Sequence, residues 1–152
     1  MLEICLPLKP LSVNNAKSFS IRNKRFFKKK STLQYETDFN FLMGIKDIAL
    51  AIEEFKVIYD DRKHSLKLSC FFYVKEEEFF TKPKNKNDFK RISRKSQDLD
   101  NLLKINIDLL FKRMEIDDKC ITQIYAEKIP TDSDPKIIFH LETVSMPLTF
   151  SR

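Results

Sequence analysis

The chain of 152 residues has a single glycine, Gly44, and only two histidines. Phosphate-binding loops of nucleotide enzymes need several glycines at fixed offsets, so neither a P-loop nor a dinucleotide fingerprint can be written in this sequence. His64 and His140 are too far apart along the chain to form a His-x-x-x-His zinc pair on one helix. The sequence therefore predicts no nucleotide cofactor and no zinc site of that kind.

Cysteine and long apolar runs are also scarce. The three cysteines, Cys5, Cys70 and Cys120, include no C-x-x-C pair, and their odd number is typical of a reduced, intracellular protein. The longest purely apolar stretch, residues 48–52, is far shorter than the roughly 20 residues of a transmembrane helix. A glutamate and two prolines in the first ten residues exclude the apolar core of a secretion signal. We therefore expect a cytoplasmic protein with no membrane partner.

Positive charge is abundant and concentrated in two segments. The chain carries 28 Lys and Arg against 22 Asp and Glu. Residues 9–30 hold eight basic residues and no acid, and residues 82–95 hold seven with one acid, which leaves the remainder acidic. Cations that contact phosphates release counterions, so two such segments indicate a salt-sensitive polyanion site. The alternative is a solvated basic surface with a few buried phenylalanine anchors, and the separation of the two segments favours nucleic acid.

Hydrophobic periodicity divides the chain into strand and helix signals. The predicted strands are Leu2–Leu8, Leu66–Val74, Cys120–Lys128 and Lys136–Val144, with a loop or hairpin over residues 14–30 in which Ser18–Phe27 could supply one short strand. The predicted helices run from Ser31 to Ile52, with Gly44 inside, and from Leu99 to Arg113. Residues 75–97 are predicted as a long basic loop and residues 145–152 as a tail. This order predicts one α+β domain over residues 1–152, with a mixed sheet of about four to five strands and two main helices.

The most informative stretch is residues 96–118, SQDLDNLLKINIDLLFKRMEIDD. Asp98 stands where the helix should begin and Asp100 lies in its first turn, so a single N-cap cannot account for both. Lys104 and Asp108 follow Asp100 at four-residue steps and therefore share one helical face. Two further acids close the segment: Asp117 and Asp118.

Spacing alone leaves two interpretations of these residues open. Clustered carboxylates suit Mg²⁺, which binds one or two carboxylates, keeps several waters and takes phosphate oxygens as further ligands. A nearby lysine can neutralise the scissile phosphate. Alternatively, Asp98 is an N-cap, Lys104 forms ordinary surface ion pairs with Asp100 and Asp108, and the final two acids belong to a turn.

The pattern D-L-D-N-L-x-K, followed further along by D-D, resembles the signature of RusA-type Holliday junction resolvases. The matching residues are Asp98, Asp100, Asn101, Lys104, Asp117 and Asp118. The segment Pro10-Leu11-Ser12-Val13-Asn14 is similar to the family's P-x-S-x-N opening, and Glu127-Lys128 resembles the end of its next strand. The resemblance spans about residues 3–130. Gln97 stands where the family usually has a proline.

The resemblance implies a RusA-like fold and a homodimeric, Mg²⁺-dependent endonuclease, with Mn²⁺ as a substitute, that cuts four-way DNA junctions in recombination and repair. Such enzymes are bacterial or phage-encoded. The resemblance implies that Asp98, Asp100 and Asp118 bind the metal and are catalytic and that Lys104 assists catalysis. It leaves the role of Asp117 open. The DNA-binding residues expected in the two basic segments are Asn14, Lys17, Arg22, Lys24, Arg25, Lys28, Lys29, Lys30, Lys90, Arg91, Arg94 and Lys95.

One geometric question follows from the predicted helix. A straight helix from Leu99 to Arg113 is about 21 Å long, so Asp98 and Asp118 start at its opposite ends. Either residues 114–117 carry the chain back, or Asp118 completes the site of a partner subunit. Two other functions remain possible: a non-catalytic protein that binds branched DNA, and a nuclease that acts on flaps or forks.

Overall fold

The computed structural model describes residues 1–11, 17–20, 25–28, 30–86, 89–94 and 96–148, with the backbone alone for 17–20 and 25–28. The strands are β1 (Leu2–Leu6), β2 (Lys17–Ser20), β3 (Arg25–Lys28), β4 (His64–Lys75), β5 (Ile121–Thr131) and β6 (Lys136–Ser145). The helices are α1 (Lys30–Met43), α2 (Lys46–Ile58), α3 (Glu76–Phe79) and α4 (Leu99–Met114). A 3-10 turn, Asp118–Cys120, precedes β5. Within the described residues, no helix has the length and apolar character needed to cross a bilayer.

The main sheet has four strands in the order β1-β6-β4-β5. β6 pairs antiparallel with both β1 and β4, whereas β4 and β5 are parallel. A parallel pair needs a crossover, and here α3, the long basic segment and α4 provide it. β2 and β3 pair antiparallel as a separate hairpin with Phe19 opposite Phe26, which confirms the hairpin alternative for this segment. The single short strand predicted over Ser18–Phe27 is wrong, because two short strands pair there instead. The predicted α+β class with a mixed sheet is confirmed.

The core lies between one face of the sheet and the three longer helices. From Leu66 onward strand β4 alternates, so that Leu66, Leu68, Cys70 and Phe72 are fully buried on the inner face, as predicted. Residues of α1, α2 and α4 belong to the same buried cluster as these side chains. Burial raises the pKa of the Cys70 thiol from 9.0 to about 12, because the thiolate would lose its hydration there.

The predicted helix from Ser31 to Ile52 is divided into two, α1 and α2. The chain turns at Gly44, whose amide donates to the Asn40 and Phe41 carbonyl oxygens, both at 3.1 Å. A Cβ at Gly44 would lie 3.2 Å from Arg113 Nη2, so the absence of a side chain permits this close approach to α4. The break lets both helices cover the sheet, and it leaves Ile45 exposed at the turn.

The long segment between β4 and α4 is more ordered than the predicted loop. Just after α3, Phe80 forms an antiparallel bridge with Ile92. Thr81 donates its amide to the Arg91 carbonyl oxygen at 2.8 Å, and Ser93 donates to the Phe79 carbonyl oxygen at 2.9 Å. We name residues 79–94 the basic arm. Its returning half leads directly to Asp98.

Candidate active site at the start of helix α4

Asp98 occupies the N-cap position of α4 but does not cap the helix. Its backbone is extended (φ −70°, ψ 139°) and its side chain accepts no capping hydrogen bond. Asn101 Nδ2 lies 3.5 Å from Asp98 Oδ2, a long and weak hydrogen bond. The carboxylate is therefore exposed and largely free, so the capping interpretation does not explain why an acid stands here.

Asp100, Lys104 and Asp108 lie on the exposed face of α4, as the four-residue spacing predicted. The opposite face is buried, with Leu102 and Leu110 fully so. Among the residues that the structure describes, no ion pair joins Lys104 to either acid. The ammonium and the Asp100 carboxylate both remain free for a ligand in solution.

Lys128, near the end of β5, is bound to the segment that precedes Asp98. It lies opposite the buried Phe72 in the parallel pair and thus faces the helices. Its Nζ donates to Ser96 Oγ and to the Gln97 carbonyl oxygen, each at 2.8 Å. The same ammonium is 5.1 Å from the centroid of the Phe79 ring, at the base of the basic arm. Burial lowers the pKa of Lys128, and the Asp98 carboxylate acts in the opposite direction.

The N-terminal segment also reaches this region. Gln97 Nε2 donates to the Pro10 carbonyl oxygen at 3.1 Å, and Asn106 Nδ2 donates to the Leu11 carbonyl oxygen at 3.3 Å. The Tyr35 hydroxyl of α1 donates to Asn106 Oδ1, and burial raises the pKa of Tyr35, which keeps this donor protonated. Pro10 and Leu11 of the opening motif are therefore held beside the start of α4.

Asp117 and Asp118 lie at the other end of α4. The helix ends at Glu115, which adopts a left-handed conformation (φ 58°, ψ 39°). Asp117 then accepts a hydrogen bond from the Lys119 amide at 3.0 Å and caps the 3-10 turn. Both Asp117 and Asp118 are exposed. A helix of 16 residues is about 24 Å long, so one chain does not bring Asp118 to Asp98. Over the described part of the chain, no three His, Cys, Asp or Glu side chains are grouped closely enough to hold a metal ion.

The end of α4 borders an acidic pocket of about 530 Å³ that includes Tyr59, Asp61, Asp117 and Cys120. The pKa of Tyr59 is raised, chiefly by burial and then by the Cys120 thiol and the two carboxylates. An anionic phenolate is disfavoured there, so Tyr59 stays a neutral neighbour of Asp117.

The expected DNA-binding residues divide into three groups. Lys30 at the start of α1 and Lys90, Arg91 and Arg94 on the basic arm are exposed. Lys17, Arg25 and Lys28 lie on the hairpin strands, where the structure describes the backbone only. Asn14, Arg22, Lys24, Lys29 and Lys95 lie outside the described residues.

Sequence reasoning gave no role to Gln97 or Lys128, although both contact the Asp98 segment. For Lys128 the sequence did contain a signal. In β5 the side chains of Ala126, Lys128 and Pro130 lie on the same side of the strand, and Lys128 is the charged one of the three. For Gln97 the sequence offered only the departure from the family's proline. Its amide binds a segment that is 87 residues away along the chain, which no local pattern can predict.

Comparison with protein families identifies a relationship. The model of the family "Endodeoxyribonuclease RusA" matches residues 7–142, which include both basic segments and every acid of the candidate site. No curated protein matches the sequence. Since the family match covers most of its length, the chain belongs to the RusA endodeoxyribonuclease family.

Proposed function

We propose that this protein is a Mg²⁺-dependent endonuclease that resolves four-way DNA junctions in recombination and repair. The observation that carries the proposal is the pair of exposed carboxylates, Asp98 and Asp100, at the positive end of α4. Within the described residues neither forms an ion pair, and both follow the basic arm closely in the sequence. In a family of endodeoxyribonucleases, such an acid could hold the metal ion that acts on a phosphodiester, while the cations of the neighbouring segment contact the DNA phosphates. As a protein of this kind, it would work in the cytoplasm of a bacterium, encoded by the host or by a phage.

The oxygen donors fit a hard divalent cation. Asp98 and Asp100 would hold Mg²⁺, or Mn²⁺ in its place, and Asp118 would supply a third carboxylate. The bound ion would orient a water and stabilise the charge on the transferring phosphate. Lys104, one turn beyond Asp100, would neutralise a non-bridging phosphate oxygen.

A homodimer would bring Asp118 into the site. Within one chain Asp98 and Asp118 stand at opposite ends of α4, so a shared site needs the Asp118 of a second copy. In a two-fold dimer, Asp98 of each copy would meet Asp118 of the other copy, so the dimer would have two equivalent sites. Two equivalent sites suit a junction with two strands to cut.

Strand β5 offers the edge for such a dimer. It is the last strand of the sheet, and Ile124 and Tyr125 in its middle are 54% and 51% exposed. Antiparallel pairing of two copies of β5 sets the start of one strand, next to Asp118, beside the end of the other. That end carries Lys128, which contacts the Asp98 segment. An edge strand with unpaired backbone groups would otherwise favour aggregation in solution.

The first experiment is incubation of the purified protein with a synthetic four-way junction, a flap and a linear duplex, with Mg²⁺ or with EDTA. Symmetrical cutting of the junction in Mg²⁺ is the expected result. Preferential cutting of the flap would support the broader nuclease, and junction binding with no nicking under any divalent ion would support the non-catalytic alternative.

The shared site is tested by mixing subunits. Asp98→Asn and Asp118→Asn homodimers should both be inactive, whereas their heterodimer has one site with both native acids and should nick one strand. No regained nicking in a heterodimer that is shown to form would exclude the shared site. Ile124→Glu should in addition shift the protein to a monomer in sedimentation velocity.

A further inference from the structure

The basic arm encloses a pocket that is separate from the acid pair. The two halves of the arm are held together by the Thr81–Arg91 and Ser93–Phe79 backbone hydrogen bonds, at 2.8 and 2.9 Å. An open cavity of about 650 Å³ lies between them. These bonds hold the two halves together at the base of the pocket.

Among the described residues, the lining combines cations with apolar surface and includes no acid. Four basic residues line it: Lys82, Lys84, Arg91 and Arg94. Pro83, Phe89 and Ile92 supply the apolar part. Its volume lies within the roughly 300–1,000 Å³ of small-ligand sites. A ligand that matches this lining has a flat apolar face and a negative charge.

The Phe89 ring is 93% exposed, although it lines the pocket. Elsewhere on the arm, Phe80 packs against Phe79 with centroids 4.7 Å apart and lies under the Lys90 ammonium at 5.4 Å. Among the described residues, no other aromatic ring packs against Phe89 and no cation lies over its face, although cationic residues line the same pocket. An exposed aromatic ring flanked by cations is the arrangement on which unpaired bases stack.

We propose that this pocket binds an unpaired nucleotide of branched DNA, with its base against Phe89 and its phosphates on the cations of the arm. The inference rests on the proposed function, since it names a second contact with the same substrate. Arg94 precedes Asp98 by four residues, which span at most about 14 Å of chain. A nucleotide held in the pocket is therefore close to the strand that the acid pair would cut.

The test measures affinity in EDTA by fluorescence anisotropy, with a labelled duplex that carries a bulge of unpaired thymines and with the same duplex fully paired. The wild type should bind the bulged duplex more tightly. Phe89→Ala should bind the bulged duplex about tenfold more weakly, as expected when one base–aromatic stack is removed, and should bind the paired duplex within twofold of the wild type. Phe89→Tyr should behave as the wild type. So should Phe41→Ala, which removes an exposed ring on α1.

Two results overturn the pocket: no preference of the wild type for the bulged duplex, or an equal loss of both affinities in Phe89→Ala. Junction cleavage in Mg²⁺ is measured separately on the same preparations. Preference for the bulge without cleavage of any branched DNA would leave the pocket standing and refute the nuclease. Cleavage of the junction by the wild type, with unchanged affinity of Phe89→Ala for the bulged duplex, would support the nuclease and refute the pocket.

Discussion

The Lys128 ammonium and the Gln97 carbonyl oxygen are 2.8 Å apart, so the end of β5 holds the residue immediately before Asp98. The same ammonium binds Ser96 Oγ and lies over Phe79. One lysine thereby connects three parts of the molecule: the end of a strand, the base of the basic arm and the start of α4. Its effect on catalysis would be exerted through the position of Asp98 and not through contact with DNA.

Replacement of Lys128 should therefore lower cleavage more than binding. Lys128→Met keeps most of the alkyl chain and removes two charged hydrogen bonds, each worth about 1.5–3 kcal/mol. We expect kcat to fall at least tenfold and the Mg²⁺ concentration for half-maximal cutting to rise, while junction affinity in EDTA stays within twofold. Lys136→Met is the matched control, since Lys136 lies 4.7 Å over the Tyr73 ring with no contact to Asp98. Equal loss in both variants would contradict a positioning role.

Asp100→Asn should separate cutting from binding. The amide is close in size to the carboxylate but is a poor ligand for Mg²⁺, so we expect junction cleavage to fall by about 100-fold or more, the scale seen when a transition-state stabiliser is removed. Gel-shift affinity in EDTA should be equal to or slightly tighter than that of the wild type. Asp132→Asn, in the exposed turn between β5 and β6, is the control. Nicking by Asp100→Asn at the wild-type rate would refute the assigned site.

The first basic segment should contribute affinity without sequence preference. Changing Lys28, Lys29 and Lys30 together to alanine should weaken junction binding and reduce the slope of log affinity against log salt by about 0.9 for each phosphate that these lysines neutralise. Titrations at several salt concentrations measure both quantities. The triple variant of Lys46, Lys56 and Lys63, which lie outside the two basic segments, should keep the wild-type slope. The same slope in both triple variants would rule out this role of the first segment.

Alkaline conditions should destabilise the fold through Cys70. Its pKa rises from 9.0 in the unfolded chain to about 12 in the folded one, so between these values the unfolded state releases a proton that the folded state keeps. The free energy of unfolding should therefore fall as pH rises above 9, by about 1.4 kcal/mol per pH unit from this thiol. Urea denaturation at pH 8, 9, 10 and 11 measures the decline. Cys70→Val should show a shallower decline, and identical slopes would contradict the assignment.

A glycine at position 115, the C-cap of α4, should stabilise the protein. Glu115 adopts φ 58°, a conformation that costs a residue with a Cβ about 1–2 kcal/mol. Glu115→Gly should raise the free energy of unfolding by about 1 kcal/mol, because glycine adopts the left-handed cap without strain. Glu115→Ala keeps the strain and should bring no gain. A gain of equal size in both variants would attribute the effect to the glutamate side chain.

The predicted secondary structure was most accurate where the local pattern and the tertiary contacts agree. Strand β4 alternates between buried and half-buried residues along its length, and α4 has an apolar stripe on one face, so both were predicted within two residues at each end. The helix over residues 31–52 was wrong in its continuity. Its apolar spacing continues through Gly44, so the pattern gave no sign of the turn that ends α1 and begins α2 there.

In the candidate site, too, some features could be predicted from the sequence and others depended on the tertiary structure. The four-residue spacing of Asp100, Lys104 and Asp108 predicted from the sequence that they share one helical face. The roles predicted for Asp98, Asp100 and Lys104 came from the family resemblance. That Asp98 leaves the helix uncapped, and that Asp118 lies at the far end of α4, depends on the actual course of the chain.

The sequence by itself determined the α+β class, the strand and helix that frame the site, the family signature and the two basic segments. Each of these depends on residue type and on spacing within a few turns or strands. Only the tertiary structure decided that Lys128 and Gln97 hold the start of α4, that the basic arm folds back on itself around a pocket, and that one chain does not bring its acids together. These depend on contacts between residues that are tens of positions apart, and such contacts are set by how the elements pack.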